Sequence, residues 1–324
     1  MKKNIISIIV VGLLMFITFQ LLTSSNIIFE TVSFSFEIWK TGIFPSIFPF
    51  FVISEILINY GFVEFVAELF KPLMNKLFKI KGAAAYVFIM AMISGFPSSA
   101  KYVNELYNQG LINEKEGTKI LLFTHFSNPL FILGTISLTF LNNPKLGLLI
   151  LFCHYVSNFI LGLLFRNYHP SKNENTKFSF KNSINHMTRR RLNNHKSFGQ
   201  VLSDSITNSV NTLLIILGTI TVFLILTTLI NKWININPII QAILSGFFEM
   251  TQGLKYISLT NISLKLKAVI STMIISFGGI SVHMQIISIL SSTKIKYLPF
   301  LVARTLHAAI SGILTFLLFD FYLL

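Results

Sequence analysis

Apolar segments alternate along this chain with short polar or basic ones, and several of the apolar segments stop early or break in the middle. A helix rises ~1.5 Å per residue, so about 20 predominantly apolar residues cross the hydrocarbon core of a bilayer. Segments 5–22, 43–60, 146–165, 210–230 and 298–324 are long enough. Segments 83–96 and 239–252 are not, and each carries Ser-Gly-Phe, as Ser94-Gly95-Phe96 and Ser245-Gly246-Phe247. Each is expected to form one arm of a re-entrant helical hairpin. Segments 120–141 and 267–290 are long but interrupted, the first by Thr124-His125-Phe126-Ser127-Asn128-Pro129, the second by Ser276-Phe277-Gly278-Gly279-Ile280-Ser281. Non-helical backbone at membrane depth survives only where protein buries it or where it lines a wet cavity. Short or interrupted segments at corresponding places in two halves of a chain point to a solute site.

The stretches between complete the layout. Residues 23–42 read as a polar loop. In 61–82, Val63, Val66, Phe70, Leu73 and Leu77 recur at helical spacing with Lys71, Lys76, Lys79 and Lys81 between them. That pattern suits an amphipathic helix at the interface, kinked at Pro72. Residues 166–199 form a hydrophilic loop with eight Lys/Arg against Glu174 alone. The first apolar segment follows Lys2 and Lys3, and Thr23-Ser24-Ser25-Asn26 offers no small-x-small cleavage site, so a retained helix is expected rather than a signal peptide.

Charge tests this layout. With the N-terminus inside, both short segments re-entrant and the rest crossing, the inside stretches (1–4, 61–82, 101–119, 166–209, 291–297) hold nineteen Lys/Arg. The outside stretches (23–42, 142–145, 231–238, 253–267) hold six. The positive-inside bias fits, and the two hairpins then enter from opposite faces. The expected fold is an all-α polytopic membrane protein of two inverted repeats with re-entrant hairpins and broken transmembrane helices. It divides into an N-terminal helix and loop (1–42), a first repeat (43–165), a basic cytoplasmic loop (166–199) and a second repeat (200–324).

Composition narrows the function. The chain is 53% apolar and 12% charged, and its net charge of +14 lies mostly between apolar segments, as topology demands. The expected environment is therefore a lipid bilayer, with no nucleic-acid partner. The single Cys153 allows no internal disulfide, and His169, His186 and His195 in the basic loop lack acidic or Cys companions, so no metal site is expected. Neither G-x-S-x-G, H-E-x-x-H nor a Walker-type loop is present, which argues against an enzyme, a cofactor or an ATP motor.

Three stretches carry a family likeness: SGFPSSAKYVNELYNQG at 94–110, E-x(4)-LLFTHFSNPLFILG from Glu116, and FGQVLSDSI at 198–206. Over about 43–319 the chain resembles the YlbJ (SpoVV) sporulation integral membrane proteins, a group with a nucleoside recognition, or Gate, domain that is similar to concentrative nucleoside transporters. The resemblance implies a carrier of dipicolinic acid in the outer forespore membrane, moving it from mother cell toward forespore, and homo-oligomers are known in the wider group. It equally admits a cation-coupled nucleoside-type symporter, and a sporulation scaffold or sensor is the reading from a different class. Ser98-Ser99 and Ser127-Asn128 stand where members often have a Gly-rich stretch.

Dipicolinate is a planar dianion with a ring nitrogen, so its site needs hydrogen-bond donors and positive potential. Gly95 can end one half-helix and Pro97 can open the next, leaving the N–H groups of Ser98, Ser99 and Ala100 at the positive end of a helix dipole, or satisfied within a tight turn. Lys101, one turn on, either adds a charge there or snorkels to the interface. Asn128-Pro129 breaks the next crossing, with Thr124, Ser127 and Asn128 as candidate contacts, although Ser and Thr also bond their own helix. In the second half the candidates are Ser245, Gly246, Ser276, Gly278, Gly279 and Ser281, the glycines breaking the helix by conformational freedom. Ionisable residues inside apolar segments are functional candidates by default. Arg304, with His307 one turn on, is expected to face the central cavity and meet a carboxylate, the solute's or that of Glu55. Glu55 and Glu249 are candidates for ion coupling, or simply interfacial carboxylates.

Overall fold

The computed structural model describes residues 2–171, 179–233 and 236–323, and every regular element among them is helical. Helix α1 (Lys2–Thr23) is largely exposed along its described face, as suits a helix bathed in lipid. Helix α2 (Ser25–Ile38) follows and runs through a π-helical turn (Trp39–Ile43) into α3 (Phe44–Asn59). The loop expected at 23–42 is thus mostly helix. Its polar residues find partners on α10 (Phe198–Trp233): Ser35 Oγ lies 2.8 Å from Thr221 Oγ1, and the Trp39 indole donates to Leu213 O at 3.0 Å. Ile38, Ile43, Ile47 and Phe51 pack against Leu213, Ile216, Ile220 and Leu224 of α10.

At Gly61 the chain turns by 85° from α3 into α4 (Phe62–Phe78), the direction change that an interfacial helix after a crossing requires. Then come α5 (Ala83–Ser94) and α6 (Ser98–Asn108), joined by Gly95-Phe96-Pro97 as the first hairpin. Helix α7 (Glu114–Leu121) opens with a capping box between Asn113 and Glu116. It unwinds over 124–128 and resumes near Pro129, continuing as a π-helix (Phe131–Phe140). Helix α8 (Pro144–Leu164) closes the first half.

The basic segment contains a helix, α9 (Phe180–Asn193), docked on α4 rather than wholly solvated. Arg190 pairs with Glu64 at 3.5 Å, and Phe180 packs edge-on against Phe65. Its residues 172–178 lie outside the described residues. In the second half, α11 (Pro238–Phe248) and α12 (Met250–Leu259) form a hairpin whose tip is Glu249. Helices α13 (Leu264–Phe277) and α14 (Gly279–Leu290) are two parts of a span broken at Gly278, and α15 (Tyr297–Leu323) ends the chain. Four spans are long and apolar enough to cross a membrane among the described residues, six if each bent helix pair counts as one.

Candidate functional site

The first break has left the α-helical hydrogen-bond ladder, so its backbone groups need other partners. They find them on α8 and α15. His154 Nε2 accepts the Ser127 N–H at 2.9 Å, and the Asn158 amide donates to His125 O at 2.6 Å. The Arg304 guanidinium donates to Leu122 O at 2.6 Å, to His125 O at 3.2 Å and to Asn158 Oδ1 at 3.1 Å. Arg304 is fully buried, and no carboxylate pairs with it among the described residues. Leu122 O is an orphan carbonyl past the end of α7, where a cation is favoured by the helix dipole.

The same network reaches the second break. Because His154 Nε2 is an acceptor, its Nδ1 carries the proton and donates to Ser276 Oγ at 2.9 Å. His307 Nε2 donates to His154 O at 2.9 Å while its Nδ1 accepts from Arg304 at 2.7 Å. His283 donates through Nε2 to Phe277 O at 3.1 Å and accepts the Tyr297 hydroxyl at 2.8 Å.

The first hairpin tip touches the first break directly. Gly95 adopts φ +79°, and a Cβ there would lie 2.3 Å from Asn128 N, so only glycine permits this approach. The Asn128 side chain then bridges two helix ends. Its amide donates to Ser94 O at 3.1 Å, and its carbonyl accepts the Leu130 N–H at 2.8 Å. At the second tip, the Glu249 carboxylate caps α12, accepting from the Gln252 N–H at 2.9 Å and from the Thr251 hydroxyl at 3.1 Å.

All four interruptions line one cavity. Phe96 comes from the first tip, Ser127 and Asn128 from the first break, Glu249 and Met250 from the second tip, and Val282 and Gln285 from just past the second break. Ile43, Ile47, Phe131, Ile216 and Ile220 complete the wall. Its interior leaves about 40 Å³ for water-sized molecules, room for a few waters.

Compared with known proteins, the chain matches the family model for nucleoside recognition over residues 41–143, which covers α3, the first hairpin and the first break. It is 32% identical over 344 aligned residues to the sporulation integral membrane protein YlbJ of Bacillus subtilis (strain 168), covering 98% of this chain and 83% of that protein. The chain belongs to the YlbJ family. No solved structure matches it. As a YlbJ-family member it is a multi-pass integral membrane protein with a Gate domain.

Of the residues expected at a site in this YlbJ-family chain, Ser127, Asn128 and Glu249 line the cavity, and Gly95, Ser99, Gly278 and Gly279 lie at the tips and breaks around it. Others stand elsewhere. The Ser98 and Ala100 N–H groups do not point free into the cavity, since Gly95 O and Pro97 O accept them, each at 3.0 Å. Thr124 bonds back to Ile120 O at 2.9 Å, and Ser245 accepts from Asn231 at 3.1 Å behind the second tip. Ser276 and Arg304 belong to the network behind the breaks, so Arg304 faces neither the cavity nor a carboxylate. Ser281 is buried on the cavity-lining face of α14. Lys101 and Glu55 pair with each other at 3.3 Å, joined by Asn208 and by Glu105 at 3.9 Å from Lys101, and neither lines the cavity. Phe96, His125, His154 and Asn158 were not singled out from sequence. His154 and Asn158, four apart on an otherwise apolar α8, were the legible signal.

Proposed function

We propose that this chain is a membrane carrier for a small polar solute, built as two inverted repeats, with the solute held between the two hairpin tips and the two helix breaks. The observation that supports this is the convergence of all four interruptions, distant in sequence, on one cavity. A scaffold gains nothing from interrupted spans that cost stability. The family likeness favours dipicolinate as the solute, in the outer forespore membrane and moving toward the forespore.

A second solute class has an observation behind it. The cavity lining carries Glu249 and the amides of Asn128 and Gln285 but no Lys, Arg or His. That set suits a neutral, hydroxyl-rich solute such as a nucleoside taken up with a cation. Thermal stabilisation of the purified protein in detergent separates the two, because a ligand of the folded state raises stability by RT ln(1 + [L]/Kd). Selective stabilisation by dipicolinate over uridine and glutarate is the expected outcome. Stabilisation by nucleosides alone would give the site to the symporter reading, and no response from folded protein to any solute would overturn the carrier reading.

A further inference from the structure

The first break carries two side chains that the network does not use up, Ser127 and His125. His125 is 1% exposed, and its ring lies between Phe96 of the first hairpin tip, stacked at 4.9 Å, and Phe300, edge-on at 5.1 Å. Ser99 Oγ lies 3.4 Å from Nδ1, while Nε2 is buried without a hydrogen-bond partner. The tautomer in which the Ser99 hydroxyl donates to Nδ1 leaves Nε2 as an N–H donor with no acceptor. A buried donor left unpaired is costly, so such a group is expected to meet a partner in some state of the protein.

The Nε2 atom faces Gly278. Gly278, at φ +91°, has no side chain there, and a Cβ built on it would sit 3.6 Å from His125 Nε2 and 3.6 Å from Val282 Cβ. Val282 lines the cavity. Gly278 therefore stands between the imidazole and a side chain of the cavity wall. The hydroxyls of Ser127, which also lines the cavity, and of Ser281 are buried and unpartnered too. Unsatisfied polar atoms thus occur in both breaks. Behind them stands the Arg304 guanidinium, with no carboxylate to neutralise it among the described residues.

We propose that His125 is a solute-contacting residue, its Nε2–H donating across the gap at Gly278 to an anionic oxygen, the carboxylate of an aromatic acid, with the Ser127 and Ser281 hydroxyls beside it. This rests on the carrier reading and assigns the solute's acidic end to a place in it. It accounts for an anion being held although no cation lines the cavity itself.

The test uses full-length protein in detergent with dipicolinate, picolinate, unsubstituted pyridine and uridine, read by thermal shift and equilibrium binding. His125→Phe keeps the ring contacts with Phe96 and Phe300 and removes only the nitrogens. His125→Gln keeps an N–H donor. A hydrogen bond to a charged group corresponds to about a ten- to hundredfold change in Kd. The wild type is expected to bind the two pyridine carboxylates and not pyridine. His125→Phe should weaken both carboxylates about ten- to a hundredfold, and His125→Gln should recover part of that loss. Unaltered carboxylate affinity in a folded His125→Phe protein overturns the assignment and leaves the carrier reading standing. Equal binding of pyridine and picolinate by the wild type overturns it as well. Should His125→Phe fail to fold, His125→Gln decides: wild-type stability with affinity lost entirely would contradict a donor role, and retained affinity that still discriminates against pyridine would support it.

Discussion

A guanidinium inside a membrane protein ordinarily needs a carboxylate or a route to water, and Arg304, fully buried, has no carboxylate partner among the described residues. Its two terminal nitrogens donate instead to two backbone carbonyls, a side-chain amide oxygen and an imidazole nitrogen. Arginine suits this task because its five donors are fixed in one plane and spread over three nitrogens, whereas a lysine ammonium offers three from a single atom. Arg304→Gln orphans Leu122 O and Asn158 Oδ1, each worth about 1–3 kcal/mol when buried and unpaired. We expect a loss of order 3 kcal/mol, seen as a lower midpoint of thermal denaturation and poor expression, with Arg304→Lys intermediate. A wild-type midpoint for Arg304→Gln would show that the network does not hold the break. The sequence makes Arg304 conspicuous as a charge in an apolar segment, but its partners at 122, 125 and 158 carry no motif that points to it. The same holds for Lys101 and Glu55. Each is legible as costly in lipid, and their pairing across α3 and α6 is not, because nothing in local sequence encodes which distant charge will be adjacent.

At the level of elements, both hairpins and both breaks were legible from segment length and punctuation, but the second tip was displaced. Ser-Gly-Phe marks the turn itself at 94–96, while Ser245-Gly246-Phe247 belongs to the last turn of α11, with the tip at Glu249. Glycine serves two purposes that look alike in sequence. Gly95 supplies a left-handed turn, and Gly246 supplies a close helix approach, since a Cβ on Gly253 would come within 2.2 Å of Gly246 Cα. Gly253→Ala must therefore force α11 and α12 apart. Overpacking of this kind costs about 1–3 kcal/mol, and since the tip lines the cavity we expect uptake to fall along with the denaturation midpoint. Gly218→Ala is the control, because nothing lies within 4 Å of a Cβ there and alanine favours its helix. Equal midpoints for Gly253→Ala and Gly218→Ala would mean that the two arms have slack. Helix α2 was missed for a related reason: its Ser and Thr read as loop, yet Ser35 and Thr31 bond Thr221 and Thr228 of α10.

Across the whole molecule, each half runs through a hairpin, a broken span and a final long helix in the same order. Whether the halves are inverted depends on which face each loop meets, and the bias of nineteen Lys/Arg against six makes a specific forecast. Lys115 and Asn261 occupy similar places, both exposed, Lys115 in the first turn of the first broken span and Asn261 just before the second. Inversion puts them on opposite sides of the membrane, Lys115 inside with the basic segment and Asn261 outside. The chain is well suited to the measurement, because its single cysteine, Cys153, is buried and can be replaced by serine. With Lys115→Cys, Asn261→Cys and His195→Cys introduced one at a time, a membrane-impermeant maleimide added to sealed, right-side-out vesicles should label only Asn261→Cys. Lys115→Cys and His195→Cys should react once the membrane is opened. Labelling of Lys115→Cys and Asn261→Cys from the same face would make the repeats parallel. The two hairpin tips would then approach the cavity from one side, and alternating access would need a motion of the whole bundle rather than an exchange between symmetry-related gates.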